Sequence, residues 1–287
     1  MRGGEPAVRE AELVARLRAA GCVFAEEEAA LLLAEGSSAA ALEERVRRRE
    51  RGEPLELVLG WAEFAGLRVA TATGVFVPRR RSELLVREGL AVLAERRSEG
   101  RGAARSAPGV AAPAVVVDLC CGTGAVGLAV AVAAARSGAP VELHAADLDP
   151  LATACAAQNL ARHPTGPLGA HAHTGDLYAA LPAQLRGRVD LLLVNAPYVP
   201  TGSVALMPPE ARDHEPLTAL DGGSDGLDVH RRVAAGAQEW LAPGGALLLE
   251  TSEHQEAGTA AACRSGGLRP VVVHDDDRGA ACVLARA

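Results

Sequence analysis

Apolar residues recur at helical spacing through the first fifty positions. Leu13, Val14, Leu17 and Ala20 form one set, Ala29, Leu32 and Leu33 a second, Leu42 and Val46 a third. Turn-prone breaks at Gly21 and Gly36-Ser37-Ser38 separate them, so short helices are predicted within residues 5–50. The run Arg45, Arg47, Arg48, Arg49 and Arg51 closes this region and reads as a solvated helix face. From Trp61 to Val77 the pattern shifts: Phe64, Leu67, Val69, Val75 and Val77 sit among Gly and Thr, which predicts a hairpin. Pro78 ends it, and Ser82 is placed to cap a helix over 83–97. Residues 98–113 are rich in Gly, Ala, Ser and Pro and read as a mobile surface connection. Beyond Pro113, apolar runs predict strands at 114–119, 141–146, 169–173, 189–194, 245–251, 270–274 and 280–285. Helices fit near 124–136, 150–161, 227–241 and 253–265. Such alternation specifies an α/β fold with a mostly parallel, doubly wound sheet. The chain thus divides into a helical domain (1–60), a connecting hairpin (61–80) and a sheet domain (81–287).

Composition narrows the function. Nearly half of the 287 residues are hydrophobic, but only 2% are aromatic, so the core is built from Ala, Val and Leu. The formal net charge is −7, which argues against nucleic acid as the main partner. The six cysteines include no C-x-x-C pair. They fit reduced thiols in a cytoplasmic protein better than a disulfide framework, and no metal site is expected. His171 and His173 form an isolated H-x-H on a predicted strand and read as structural. The N-terminus lacks the form of a signal peptide, and the longest apolar stretch is too short to span a membrane.

Candidate chemistry gathers at the ends of the predicted strands, where ligands bind on such sheets. The first sheet strand runs into Asp118-Leu119-Cys120-Cys121-Gly122-Thr123-Gly124-Ala125-Val126-Gly127. Gly122, Gly124 and Gly127 match the dinucleotide fingerprint G-x-G-x-x-G. A carboxylate just before the loop disfavours a pyrophosphate and favours a cationic cofactor such as S-adenosylmethionine. Asp147 ends the second strand and is placed for the two hydroxyls of an adenosine ribose, while Asp149 before Pro150 suits a helix cap. Asp176 follows the third strand and is either an acceptor for the adenine amino group, with Leu177 packing on the ring, or part of a simple turn.

The fourth strand ends in Val194-Asn195-Ala196-Pro197-Tyr198. The Asn195 oxygen and the next carbonyl can accept the two N–H bonds of a planar amide or amine. Pro197 stiffens the turn, and Tyr198 can stack on the group. Asn-x-Pro also marks ordinary turns, so the motif draws its force from the cofactor signals upstream.

With these residues in place, the chain resembles the HemK/PrmC-type protein N5-glutamine methyltransferases. The resemblance is carried by Arg48-Arg49-Glu50-Arg51-Gly52-Glu53-Pro54-Leu55, Gly60-Trp61-Ala62-Glu63-Phe64, Gly74-Val75-Phe76-Val77-Pro78-Arg79, the stretch from Asp118 to Gly124, the Asn195 motif and Glu215-Pro216-Leu217-Thr218-Ala219-Leu220-Asp221-Gly222-Gly223. It implies a Rossmann-like class I S-adenosylmethionine-dependent methyltransferase whose N-terminal helical domain recognises the substrate. The implied reaction is methyl transfer to the side-chain amide of a glutamine in a protein, with the Gly-Gly-Gln loop of peptide release factors as acceptor. It implies catalytic roles for Asn195, Pro197 and Tyr198, cofactor contacts from Asp118, Gly122, Gly124, Asp147, Asp176, Leu177 and Asn195, and substrate contacts from Phe76, Pro78, Arg79, Asn195, Ala196 and Tyr198. A monomer is expected. Four positions depart from the family pattern. Ala196 replaces the first Pro of Asn-Pro-Pro-Tyr. Arg80 and Arg81 replace a proline and a carboxylate near the mouth of the site, and Cys120 replaces the first loop glycine. The alternatives are an N6-adenine methyltransferase acting on a flipped base and a cofactor-binding relative that has lost catalysis.

Overall fold

The structure is a computed structural model that describes residues 4–36, 38–98, 113–139, 141–163, 165 and 169–287. The connection expected over 98–113 lies, apart from its two end residues, outside them. Four helices open the chain: α1 (Gly4–Ala19), α2 (Ala25–Ala34), α3 (Ala39–Glu50) and α4 (Leu55–Leu59). Leu17, Leu32 and Val46, predicted as apolar stripes, meet with Ala25 and Ala29 in one buried cluster. Ser38 caps α3 by accepting from the Ala41 N–H. The short α4 ends at Gly60, which adopts a left-handed conformation.

Arg47 and Arg51 of the arginine run are exposed, as the sequence suggests, but Arg49 departs from that solvated face. Arg49 is buried and pairs with Glu28 at 2.6 Å and with Glu210 at 2.6 Å. Glu210 belongs to the short helix α8 (Pro209–His214) beside the cavity described below, so α3 is fastened to that wall. A guanidinium out of water needs such partners, and two carboxylates supply them.

The hairpin is shorter than expected. Strands β1 (Trp61–Phe64) and β2 (Leu67–Ala70) pair antiparallel around Ala65-Gly66, both with positive φ. This is the backbone twist a two-residue hairpin turn requires. Val75 and Val77, predicted as its continuation, are buried but unpaired; Val75 packs on Ala152 and Cys155. What stops the ladder is Asn159 on α7 (Pro150–Arg162). Its side chain accepts from Ala70 N at 2.8 Å and donates to Ala70 O at 3.0 Å, taking the place of a next strand.

The remaining strands are β3 (Ala114–Leu119), β4 (Val141–Asp147), β5 (Ala170–Thr174), β6 (Val189–Val194), β7 (Leu241–Thr251), β8 (Arg269–Asp275) and β9 (Ala280–Arg286). They form one sheet in the order β5-β4-β3-β6-β7-β9-β8, parallel from β5 to β7 and antiparallel at β9 and β8. Helices α5 (Glu83–Ser98), α6 (Ala125–Arg136) and α7 pack with Val116, Leu191 and Leu193 on one face. Helices α9 (Asp228–Trp240) and α10 (Glu256–Ser265) pack with Val117, Leu192 and Val194 on the other. Every residue of β6 is buried, as a strand covered on both faces must be. From β3 the chain steps to β4 and β5 on one side, and to β6 and β7 on the other. The carboxyl ends of β3 and β6 therefore flank a topological switch point, where a crevice opens.

Candidate active site

A cavity of about 710 Å³ occupies that crevice. One half is built by the ends of β3, β4 and β5. After β3 the backbone turns through left-handed conformations at Cys120, Gly122 and Gly124. This loop is tied to β4 by the Asp147 carboxylate, which accepts from Gly122 N at 2.8 Å and from Asp149 N at 3.0 Å. Burial raises the Asp147 pKa, and the backbone amides oppose that shift. Each oxygen is thus fixed by one N–H and keeps lone-pair capacity on the cavity wall. Asp149 caps α7 through Leu151 N, the role its Pro150 neighbour suggests. Asp176 and Leu177 also line the cavity. Leu177 has φ 47°, and the turn is anchored by Tyr178, whose hydroxyl donates to Val233 O while its ring stacks on Trp240. One oxygen of Asp176 is engaged by Arg232 at 2.6 Å.

Asp118, Gly124 and Pro78 are not among the cavity-lining residues. The Asp118 carboxylate lies behind the loop and accepts from Gly127 N at 2.9 Å. Burial, only partly opposed by that bond, pushes its pKa up to about 7. It braces the loop; the aspartates on this half of the cavity wall are Asp147, Asp149 and Asp176. Gly127 is required there because a Cβ would stand 2.9 Å from the Asp118 Cβ. The repulsion of a pyrophosphate expected from Asp118 therefore has a different source.

The other half is assembled from distant segments. Asn195, Ala196, Pro197 and Tyr198 line it beyond β6, together with Phe76, Arg79 and Arg81 from the chain leaving the hairpin. The motif's backbone is held firmly. Val199 N donates to Leu220 O, Gly222 N donates to Val199 O, and Gln255 Nε2 donates to Tyr198 O at 2.8 Å. The Asn195 amide nitrogen donates to Ser82 Oγ at 3.1 Å, which leaves its oxygen free to accept. The Tyr198 phenol is raised first by burial and then by Glu250, toward which its hydroxyl donates at 3.3 Å. Glu215 stands on the wall and accepts from Arg79 at 2.5 Å and from Val77 N. Burial nonetheless raises its pKa.

Sequence reasoning missed three groups here. Glu250 is buried at the end of β7 and binds Arg81 and Tyr198. Ser82, expected as a helix cap, instead holds Asn195. Gln255 secures the motif's backbone. Glu250 carried the same signal that marked Asp147, a carboxylate closing the apolar strand Leu247-Leu248-Leu249. Of the two arginines at the mouth, Arg81 lines the cavity and Arg80 does not. The histidines stack as a group of three, His171 and His173 each against His144. Among the described residues no cluster is suited to a metal ion, and no helix is long and apolar enough to cross a membrane.

The first half suits S-adenosylmethionine. Its wall carries a carboxylate held by two backbone amides, with acceptor capacity to spare, and the apolar side chain of Leu177. Close backbone approach is open along the glycine turn. Comparison with known proteins agrees. Residues 109–207 match the methyltransferase small domain. A release factor glutamine methyltransferase of Agrobacterium fabrum is 33% identical, the match covering 93% of each chain. One from Geobacter sulfurreducens is 37% identical over 71% of this chain and only 63% of its own length, so the chain spans just under two thirds of that relative. A 4-amino-L-phenylalanine/4-methylamino-L-phenylalanine methyltransferase of Streptomyces pristinaespiralis is 39% identical over 77% of this chain and 69% of its own. The chain belongs to the release factor glutamine methyltransferase family, with a class I methyltransferase fold and S-adenosylmethionine as its cofactor.

Proposed function

We propose that the protein transfers a methyl group to the side-chain amide nitrogen of a glutamine in a protein, with the Gly-Gly-Gln loop of a peptide release factor as the acceptor. The observation that carries this reading is the Asn195 tether. Its amide nitrogen is occupied by Ser82, so its oxygen is the group offered to the acceptor. A carboxamide nitrogen is a weak nucleophile because its lone pair is delocalised, so the protein's task is orientation and polarisation. Asn195 Oδ1 and the Ala196 carbonyl accept its two N–H bonds, which raises electron density on nitrogen. Tyr198 stacks on the amide plane, and Pro197 fixes the turn. Bound S-adenosylmethionine supplies an electrophilic methyl. Asp147 holds the ribose, with Asp176 and Leu177 at the adenine. The N-terminal helices serve as the acceptor-recognition domain. Pro54 and Glu56 on the cavity wall, and the Arg49–Glu210 pair, support their involvement at the site.

A second reading follows from the Streptomyces relative and from Arg81, a cation on the cavity wall. In it, the acceptor is a small aromatic amine bearing a carboxylate. Incubation with isotope-labelled S-adenosylmethionine and a fractionated lysate separates the two. The proposal expects label in the protein fraction and on purified release factor. Label confined to small molecules or to nucleic acid contradicts it.

A further inference from the structure

We propose that Glu250 is a positioning residue that sets which way the Asn195 amide faces. The inference rests on the amide-acceptor reading above and adds to it the residue that enforces the geometry. Glu250 lies on β7 just past Leu249, the register partner of Val194, so it stands beside Asn195 behind the cavity wall. Its side chain is 3% exposed. Oε1 accepts from Tyr198 Oη and from Arg81 Nε, each at 3.3 Å. Burial pushes the Glu250 carboxyl up, and the Ser82 hydroxyl that faces it, with the Arg81 guanidinium and the Tyr198 hydroxyl, opposes that shift and favours the ionised form. Oε2 is buried with no hydrogen-bond partner among the described residues.

The argument is one of hydrogen-bond polarity. The Arg81 guanidinium, 3.3 Å from Oε1, holds the carboxylate ionised against its burial. An ionised carboxylate only accepts, so the hydroxyls around it must turn their protons toward it. Ser82 then presents lone pairs to its other neighbour. That neighbour is the Asn195 side chain, which meets Ser82 with its NH₂ group, 3.1 Å away. An amide whose nitrogen is bound to Ser82 directs its oxygen the opposite way, into the cavity. The same carboxylate accepts a hydrogen bond from the Tyr198 hydroxyl and so pins the ring. Arg81, with its guanidinium 5.8 Å from the Tyr198 ring, offsets the buried negative charge. One carboxylate therefore fixes both the amide orientation and the aromatic plane, without touching the acceptor itself. With an amide at position 250, a donor faces Ser82, its hydroxyl is free to reverse, and either face of Asn195 satisfies it.

The test compares Glu250→Gln, Ser82→Ala, Ser82→Thr and the double variant Glu250→Gln/Ser82→Ala. In protein loaded with S-adenosylhomocysteine, the Asn195 side-chain NH₂ resonances, identified by their loss in Asn195→Ala, report the tether without any acceptor. The wild type and Ser82→Thr are expected to show one slowly exchanging NH₂ proton, and Glu250→Gln and Ser82→Ala to lose it. With a methyl acceptor, Glu250→Gln and Ser82→Ala should each lower kcat about tenfold or more, while cofactor affinity stays within twofold. Ser82→Thr should restore most of the rate. The double variant should lose no more than the worse single one, because both act through Asn195. An unshifted, still protected Asn195 proton in folded Glu250→Gln overturns the inference, and so do additive losses in the double variant. Failure of wild-type protein to methylate any amide overturns the amide-acceptor reading instead, and leaves the resonance measurement to decide the role of Glu250.

Discussion

The two halves of the cavity are built differently. The cofactor half comes from consecutive strand ends of one sheet, and its key carboxylate, Asp147, is held by backbone N–H groups three residues or fewer from a strand end. The acceptor half joins residues 76–82, 195–198, 207–220 and 250 to helix α3 through side-chain bonds that span much of the sequence. Backbone-held groups are fixed by the fold. Side-chain-held groups depend on each neighbour keeping its protonation and its shape. The cofactor half should therefore tolerate changes in the acceptor half, and specificity should vary in the latter.

Substitutions can break this separation. The largest effect is expected for Asn195→Ala. Removing the acceptor of a substrate N–H should lower kcat by about 100-fold or more, with cofactor affinity unchanged by calorimetry. Equal weakening of cofactor binding would merge the halves. Next in size is Asp147→Ala. Loss of charge-assisted hydrogen bonds of about 1.5–3 kcal/mol corresponds to roughly 10–150-fold weaker cofactor binding, with most of the turnover recovered at saturating cofactor. Unaltered affinity in the folded variant would remove Asp147 from the ribose site.

Asp118 sharpens the comparison through stability. Its pKa is raised from 3.8 to about 7, chiefly by burial. Between those values the folded protein holds a proton that the unfolded chain releases. Its contribution is thus fully present below pH 3.8 and is lost as pH rises through about 7. Asp118→Asn, which keeps an acceptor for Gly127 N, should lose less stability than wild type when urea unfolding is compared at pH 5 and pH 8. Parallel losses in both would show that Asp118 is ionised in the fold throughout. The smallest effect is expected at Cys120, which has φ 55° on the cavity wall. Cys120→Gly should relieve left-handed strain and raise stability by about 0.5–1 kcal/mol, part of the relief being offset by glycine's freedom in the unfolded chain. A lowered melting temperature would contradict that account.

The same contrast explains what was legible in the sequence. Strands β3 and β6 match their predicted limits of 114–119 and 189–194 because both are apolar runs buried on two faces. β7 begins at Leu241 rather than at 245, since Pro243-Gly244-Gly245 hides strand character that neighbouring β6 supports. The hairpin was overextended because burial of Val75 and Val77 mimics strand alternation, while Asn159, about ninety residues away, closes the ladder. In the cavity, Gly122, Asp147, Asp176, Leu177 and the Asn195 motif stand out as strand-end signals and lie on the wall. Ser82 looked like a cap, and Arg49 like part of a solvated face, because the partners of both are remote in sequence. No local pattern pairs residue 82 with 195, or 49 with 210.

The central claim is that Asn195 presents an amide nitrogen for methylation. Tandem mass spectrometry of a release factor incubated with the protein and S-adenosylmethionine tests it most directly. The account predicts one added methyl on the side-chain amide of the Gly-Gly-Gln glutamine, absent with Asn195→Ala. An unmodified glutamine beside a methylated nucleobase or small amine, or equal methylation by Asn195→Ala, would contradict it.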